Sequence, residues 1–331
     1  MFEYLRLYKE RAAGQHGRVI GFSILQVILC MIIPSLVIFA LMFLPMLLTF
    51  TDASEATVGV SMIIWSLVTM LLYIGLMIFV IYPIMAGILR YFAFAYNDET
   101  VSINQAYDVF KNGNYSKLIK LTLLSILFYF VISLVIGFIV NILVTIIILP
   151  IAPLGMLIEN PDSAMQGVSI VMMIFFVILA IIISILAYIP YIILFIYLSL
   201  VFMVYIDEPR IPTMDKFKIA WNIAFKSRAS MVKLFFSNLL YYIGMIILIF
   251  VIIIGFSLLA AFAVGGEQPF IMFILMFLMF IILIALSVWI YYRIVGSIVA
   301  YYFVGRASLD EMEDQRTEST LVKDNPTDDL E

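Results

Sequence analysis

Six long runs of apolar residues, separated by short polar stretches, dominate the pattern along this chain. The runs cover residues 19–50, 60–96, 118–149, 168–205, 234–264 and 270–304. They do not alternate apolar with polar positions, as the strands of a membrane barrel would. Each is longer than the ~20 residues that a helix needs to cross a bilayer. The pattern therefore predicts an all-α polytopic membrane protein with six transmembrane helices.

Several runs exceed the length of a simple crossing. A helix of about 35 residues is roughly 52 Å long, whereas the hydrocarbon core of a bilayer is about 30 Å thick. We expect the surplus to tilt, to kink or to project beyond the membrane. Dividing the run 168–205 at Pro190 would create a seventh span, but it would place the basic loop that follows outside the cell. The charge pattern therefore favours six spans.

All eighteen Lys and Arg residues lie on one side of this six-span arrangement. The polar stretches 52–57, 159–166 and 265–268 contain none of them. Because short loops rich in Lys and Arg stay in the cytosol, both termini are predicted to be cytosolic. A basic arm at residues 1–18 then precedes the first span. Residues 305–331 hold nine acidic and three basic residues and are predicted to form a disordered cytosolic tail.

Three basic segments, each followed by a pair of apolar runs, suggest a threefold internal repeat. They are the arm at 1–18 and the two longer connections, 102–120 and 213–233. In the second, Ser102 and Gln105 form a capping-box pair and Gly113 is placed to end the helix, so an interfacial helix is predicted over about 102–112. Three helical hairpins related by an axis along the membrane normal would be the consequence.

The third basic segment predicts an amphipathic helix over residues 213–226. Its apolar face consists of residues at helical spacing: Met214, Phe217, Trp221, Ala224 and Phe225. Lys216, Asn222 and Lys226 lie largely off that face. Such a helix either lies in the headgroup plane, with aromatics inward and lysines near lipid phosphates, or packs on the ends of the spans as ordinary structure. The two arrangements are compatible with each other.

The side chains that carry catalysis are scarce in this sequence. It contains one His, His16 in the basic arm, and one Cys, Cys30 in the first run, so a multi-cysteine metal site lacks its ligands. Neither a Gly-x-Ser-x-Gly elbow, nor a His-Glu-x-x-His pair, nor a phosphate-binding glycine loop occurs. We therefore predict a non-enzymatic protein without catalytic residues, metal, cofactor or nucleic-acid partner.

Basic side chains near the ends of the spans are the candidates for contact with anionic lipid headgroups. They are Arg90, Lys216, Lys226, Arg228, Lys233 and Arg293. If the sixth span is as long as its run, Arg293 lies about 11 residues, or roughly 16 Å, from its end. That would make it the deepest charge of the chain and the best single functional candidate. The more ordinary explanation is a structural partnership with backbone carbonyls or a lipid phosphate.

Three amide side chains lie within the apolar runs: Gln26, Asn141 and Asn238. Amides in membrane helices commonly form hydrogen bonds to a neighbouring helix, each worth under about 2 kcal/mol. We predict this structural role for all three. Carboxylates, by contrast, do not occur in the central parts of the runs, where transporters coupled to protons or sodium place them.

An acid-x-Pro step follows the fourth run and leads into the amphipathic segment 217–233. Its residues are Asp207, Glu208, Pro209, Arg210, Ile211 and Pro212. In this the chain resembles a group of uncharacterised bacterial membrane proteins akin to the membrane domain of glycerophosphodiester phosphodiesterase-type proteins. Residues 101–121 look like the matching element earlier in the chain. The resemblance covers about residues 60–300 and implies a six-helix, multi-pass protein of the bacterial plasma (inner) membrane, without the phosphodiesterase activity.

Three functions fit these features. The first is binding, organising or translocating a lipid or amphipathic substrate, because an acyl chain needs no polar pathway and the basic segments can meet an anionic headgroup. The second is an accessory or scaffold subunit of a larger membrane transport or envelope complex, with the acidic tail recruiting a basic partner. The third is a polar-solute transporter. Anionic membrane lipids at the cytosolic face are the first expected partner, and a membrane protein is the second.

Overall fold

A computed structural model describes residues 2–47, 54–100, 102–111, 113–149, 163–265 and 269–323. Every regular element in these ranges is helical, which confirms the all-α prediction. Six of the helices in these ranges are long and apolar enough to cross a membrane. The six apolar runs therefore correspond to six candidate membrane spans.

The helices of the described residues begin and end as follows. They are α1 (Glu3–Arg11), α2 (His16–Leu47), α3 (Glu55–Leu76), α4 (Tyr82–Tyr96), α5 (Ile103–Ala106), α6 (Asn114–Ile148), α7 (Ser163–Asp207), α8 (Thr213–Phe225), α9 (Met231–Gly265) and α10 (Pro269–Lys323). A π-helical segment, Met77–Ile81, joins α3 to α4 and ends two residues before Pro83, which has no backbone N–H for the preceding turn. These three pieces form one continuous candidate span.

Side-chain burial divides each long helix into an exposed part and a buried part. In the most apolar 18-residue stretch of each candidate span, at most 12% of the residues are buried within the chain. In α10, for example, Phe270 and Phe273 are exposed, whereas Tyr301 and Tyr302 are buried. The exposed parts form the apolar surface that a bilayer would cover. The buried turns of these helices pack against one another and form a protein core.

We call this buried region at the basic ends of the spans the boundary core. Its large side chains with almost no solvent exposure are Leu5, Tyr8, Ile88, Phe92, Leu118, Leu200, Met203, Tyr292, Tyr301 and Tyr302. It lies within a compact unit formed by residues 1–120 and 200–331, which also contains every Lys and Arg of the chain. Within that unit the hydroxyl of Tyr205 donates to the carbonyl of Asn114 at 3.0 Å, joining the end of α7 to the start of α6.

A second compact unit, Leu121–Ser199, consists of the remaining parts of α6 and α7 among the described residues. Its two helices touch through the rings of Phe128 and Tyr197, whose centres are 5.8 Å apart. The hydroxyl of Tyr191 also donates to the carbonyl of Ser133 at 3.5 Å. This unit has no Lys or Arg, so its surface is apolar over most of its length.

The N-terminal helix α1 packs into the boundary core through one face. Tyr4, Leu5 and Tyr8 are buried on that face. The Tyr8 ring stacks on Phe92 and meets the edge of Tyr292, with ring centres 5.7 Å apart in both pairs. Burial raises the pKa of Tyr8 well above its ordinary value, so the phenol stays neutral. Its hydroxyl donates to the carbonyl of Phe92 at 3.4 Å.

The second basic segment differs from its prediction. A helix was expected over about 102–112, but the structure has the short helix α5 and a 3-10 turn, Tyr107–Phe110. Gly113 adopts a φ of 72°, the left-handed conformation expected of a residue that ends a helix. The capping-box pairing involves the side chain of Gln105, which lies outside the described residues.

The tail also differs from its prediction, because α10 continues through residues 305–323 instead of becoming disordered. Contacts with the rest of the boundary core supply the reason. Arg306 pairs with Glu208 at 2.6 Å and with Asp310 at 3.6 Å. Ser308 accepts a hydrogen bond from the backbone N–H of Arg228 at 3.2 Å. These tertiary partners cannot be recognised from composition alone. The predicted tail also includes residues 324–331, which lie outside the described part of the chain.

Gly296 of α10 faces the Tyr8 ring and leaves no room for a side chain. A Cβ at Gly296 would lie 2.7 Å from Cγ and from Cε1 of that ring. We expect Gly296→Ala to displace α1 and to lower the free energy of unfolding by about 1–3 kcal/mol, the usual cost of overpacking. Thermal unfolding in detergent measures the loss. Gly244→Ala in α9 is the control, since a Cβ there would have no neighbour within 4 Å. Equal unfolding temperatures for the two variants would contradict the packing of α1.

Candidate functional site

The turn between α7 and α8 carries the acid-x-Pro step, and both of its carboxylates are bound to α10. The hydroxyl of Tyr302 donates to Oδ2 of Asp207 at 2.7 Å. Nη2 of Arg306 donates to Oε1 of Glu208 at 2.6 Å. These charge-assisted contacts are stronger than hydrogen bonds between neutral groups. These two contacts therefore hold the turn before α8 against α10.

The inner face of α8 packs closely on α10. Its buried members are Lys216, Ala220, Ile223 and Ala224. The hydroxyl of Tyr301 lies within hydrogen-bond distance of the carbonyl oxygens of Ile223, at 3.2 Å, and Ala224, at 3.1 Å. A Cβ at Gly305 would lie 2.8 Å from Cγ2 of Ile223, so the two helices approach too closely for a side chain at that position. These contacts fix the rotation of α8 about its own axis, with this face toward α10.

Lys216 is buried, which makes its prediction as a lipid contact wrong. Only 2% of the residue is exposed, and its Nζ donates to the carbonyl oxygens of Pro209, at 3.4 Å, and Ile211. The ammonium also lies 5.7 Å from the centre of the Tyr205 ring. Burial lowers the pKa of Lys216, and the positive charge of Lys117 lowers it further. Lys216 is a structural donor for the turn that precedes α8.

The outer face of α8 exposes large apolar side chains. Met214, Trp221 and Phe225 are 68%, 49% and 50% exposed, and the two aromatic rings have centres 4.3 Å apart. Lys218 is exposed on the same face, because the four residues follow the spacing i, i+4, i+7 and i+11. Ala224, predicted to lie with the aromatics, is buried on the inner face instead. The outward apolar face is therefore rotated from the predicted one.

Lys218 is a site residue that the sequence patterns did not single out, although its spacing from Trp221 places it on the aromatic face. Lys218 and Lys226 are both exposed. Among the side chains that the structure describes, neither has a carboxylate within ion-pair distance. Lys117 and Lys120, in the first two turns of α6, share both properties. We call these four lysines the open cations, since an external anion can reach them.

Arg228 and Lys233, both predicted lipid contacts, are paired within the protein. Nη1 of Arg228 lies 3.8 Å from Oε2 of Glu311, and its Nη2 donates to Oε1 of Gln315 at 3.4 Å. Lys233 pairs with Glu3 of α1. Exposed pairs of this kind contribute only ~0–1 kcal/mol. A lipid phosphate would have to compete for these two cations, which makes them weaker candidates than the open cations.

Arg90 and Arg293 are half-buried next to the boundary core. The Arg90 guanidinium lies 5.2 Å from the centre of the Phe94 ring. Arg293 follows Tyr292, whose hydroxyl is 2.5 Å from Nδ1 of His16. His16 is the first residue of α2, so this contact joins α10 near Arg293 to the start of another candidate span. Arg293 itself lies within the candidate span Phe270–Gln315, and its depth stays a prediction.

The three amides of the apolar runs have different partners. Asn238 accepts a hydrogen bond from the Ser297 hydroxyl at 2.9 Å and so joins α9 to α10, as predicted. Gln26 donates to the Tyr107 hydroxyl, which connects α2 to the 3-10 turn and not to another span. Asn141 is exposed, and its amide donates at 2.9 Å to the carbonyl one turn earlier in α6. The predicted interhelical bond is therefore absent for Asn141 among the described residues.

The exposed groups at this end of the molecule suit binding of an amphipathic anion. Within the described ranges, no group of three or more His, Cys, Asp or Glu side chains could hold a metal ion. No family model, no curated protein and no solved structure matches this chain. The open cations and the outer face of α8 are the exposed groups on which a functional proposal can be based.

Lys216 and Lys218 provide a matched pair for testing this assignment. Lys216→Gln leaves buried carbonyls of the turn before α8 without their donor, so we expect the free energy of unfolding to fall by about 1–3 kcal/mol. Lys218→Gln changes an exposed residue and is expected to alter it by less than about 0.5 kcal/mol. Thermal unfolding of both variants in the same detergent measures the difference. A stable Lys216→Gln variant would show that the buried ammonium does not hold the turn.

Proposed function

We propose that this chain is a non-enzymatic integral membrane protein that binds, organises or translocates a lipid or amphipathic molecule with an anionic headgroup. The observation that carries the proposal is the set of open cations, Lys117, Lys120, Lys218 and Lys226. Lys117 and Lys120 lie at the start of one candidate span, Lys218 lies on α8, and Lys226 directly follows α8, which is located between two other candidate spans in the sequence. Anionic lipid headgroups are the ligands that basic residues at the ends of membrane helices meet first.

The apolar parts of the spans support a ligand with an apolar tail. Residues 121–199 contain no Lys or Arg, and the described side chains there are mostly exposed aliphatic and aromatic groups. Proteins that move polar or charged solutes place ionisable residues at this depth. An acyl chain needs no such groups, so cations are required only where the headgroup lies.

The same proposal includes the orientation and location of the protein. The distribution of Lys and Arg supports cytosolic termini. The resemblance at residues 207–233 supports a bacterial plasma (inner) membrane. The placement of α5 before α6 and of α8 before α9 supports a threefold arrangement of helical hairpins, each preceded by a segment at the membrane boundary.

An accessory or scaffold subunit of a larger membrane complex is the second candidate, and Asn141 favours it. Its exposed amide lies in a surface groove of α6 with Ser133 and Gly137. Lipid supplies no hydrogen-bond partner to such an amide, whereas a helix of another membrane protein can, and small residues permit its close approach. Copurification of a second membrane protein with the wild type, and its loss with Asn141→Leu, would favour this function over lipid binding.

Native mass spectrometry of the full chain tests the lipid proposal. The protein is released from vesicles of phosphatidylcholine and phosphatidylglycerol in equal parts, and the retained lipid is identified. We expect preferential retention of phosphatidylglycerol by the wild type. Each lysine near an anionic surface contributes ~1 kcal/mol, so Lys218→Gln/Lys226→Gln is expected to bind phosphatidylglycerol about thirtyfold more weakly.

The control removes the same charge from cations that already have partners. Arg6 and Lys111 pair with Glu10 at 3.4 Å and with Asp108 at 3.2 Å. Arg6→Gln/Lys111→Gln is therefore expected to retain phosphatidylglycerol as the wild type does. An equal loss of phosphatidylglycerol retention in both double variants would show that the effect depends only on net charge and not on the open cations. A wild type that retains no phosphatidylglycerol would reject the proposal.

A further inference from the structure

Helix α8 is held at both ends close to membrane-spanning helices. Residues 208–212 connect it to α7, and residues 226–230 connect it to α9. A connection of this length reaches at most ~18 Å when fully extended. Both neighbouring helices are candidate spans. The helix therefore stays within reach of the bilayer surface at this end of the spans.

The rotation of α8 about its own axis is also fixed. Its inner face is held by the contacts of Tyr301 and by the close approach of Gly305 to Ile223. The outward direction of the opposite face is therefore set by the protein and does not depend on a bound lipid. A free amphipathic helix, by contrast, folds and orients as it binds the membrane.

The outer face has the composition of an interfacial surface. Met214, Trp221 and Phe225 are between 49% and 68% exposed, and Trp is enriched at the headgroup level of membranes. Lys218 lies among them, and a lysine can extend its apolar stem along such a surface while its ammonium reaches the phosphates. Lys226 directly follows the helix. The apolar side chains and the cations thus match the two layers of an anionic lipid surface.

We infer that α8 is a fixed interfacial helix of the bilayer that the spans cross. Met214, Trp221 and Phe225 insert to the boundary between headgroups and acyl chains, and Lys218 and Lys226 bind the phosphates of anionic lipids. This inference rests on the proposed function and assigns its binding site and ligand class. Because α8 is preformed and clamped, it meets the lipid at one depth.

Trp221 is the natural probe of this depth, since the chain has three Trp residues. The variant Trp65→Phe/Trp289→Phe leaves Trp221 as the only one. It is reconstituted in vesicles of phosphatidylcholine and phosphatidylglycerol with bromine either near the top or near the end of the acyl chains. Shallow bromines are expected to quench Trp221 about threefold more than deep ones, because an interfacial helix enters only ~5–10 Å. Aqueous acrylamide is expected to quench it weakly.

The variant Trp221→Phe/Trp289→Phe calibrates the depth scale. It leaves Trp65 in α3, nine residues after the start of a candidate span at Ala56. That distance corresponds to roughly 14 Å along the helix, close to the middle of the hydrocarbon layer. Trp65 is therefore expected to show the opposite preference, with stronger quenching by deep bromines. The two variants share the same lipids and the same number of Trp residues.

Two outcomes would overturn the inference. Strong acrylamide quenching of Trp221 without bromine quenching would place the outer face in water. Protection from both quenchers would place it against protein. The charge part is tested by adding Lys218→Gln/Lys226→Gln to the single-Trp221 variant. With equal amounts of the two lipids, bromine carried only by phosphatidylglycerol is expected to quench Trp221 more than bromine carried only by phosphatidylcholine, because the lysines gather anionic lipid around α8. This difference should disappear in the lysine variant. A difference that persists would overturn the role of the two lysines.

The failure of the inference and the failure of the proposed function give different results. If phosphatidylglycerol is retained while Trp221 is in water, the function survives at Lys117 and Lys120 and the inference is wrong. If Trp221 lies at headgroup depth while no phosphatidylglycerol is retained, the lipid function is wrong and α8 is only an anchor. The two experiments therefore decide the two statements separately.

Discussion

An apolar helix that is longer than the bilayer is thick must bury its surplus turns, because water does not solvate them. Helix α7 has 45 residues and the apolar part of α10, residues 269–304, has 36, which correspond to roughly 68 and 54 Å against a hydrocarbon core of about 30 Å. The surplus turns of the long helices pack with α1 to form the boundary core. The boundary core contains the buried tyrosines Tyr8, Tyr292, Tyr301 and Tyr302. Because Gly296 has no side chain, α1 can pack against α10 there through Tyr8.

The six spans can be predicted from the sequence because length and hydropathy are local properties of each run. The point where the membrane-crossing part ends cannot, since it depends on partners far along the chain. The region around Arg293 illustrates this: the run continues past it to about residue 304, yet its neighbour Tyr292 contacts His16, the first residue of α2. The helix over residues 305–323 was missed for a related reason. Its composition favours disorder, whereas the pairing of Arg306 with Glu208 and the packing of Gly305 on α8 are tertiary contacts.

The rotation of α8 shows a second limit of sequence patterns. The helix has two apolar faces, and hydrophobic periodicity does not tell which one meets protein. Close approach of two helices requires small residues, so Ala220 and Ala224 face α10, while the large Trp221 and Phe225 face outward. Lys216 belongs to the inner face because the carbonyls of the preceding turn need a donor. Residue size, read together with periodicity, would have favoured the observed orientation.

The attachment of α8 to α10 bears on what lipid contact at α8 can do. Three contacts join the two helices or the turn before α8 to the same stretch of α10: Tyr301 to Ile223 and Ala224, Tyr302 to Asp207, and Arg306 to Glu208. A ligand shifts a conformational equilibrium only by its difference in affinity for the two states. Under the proposed lipid contact, any difference in how α8 meets the lipid surface would act directly on α10, which contains a candidate span. The proposed headgroup site and the candidate span would then be coupled through the direct contacts between α8 and α10, without intervening residues.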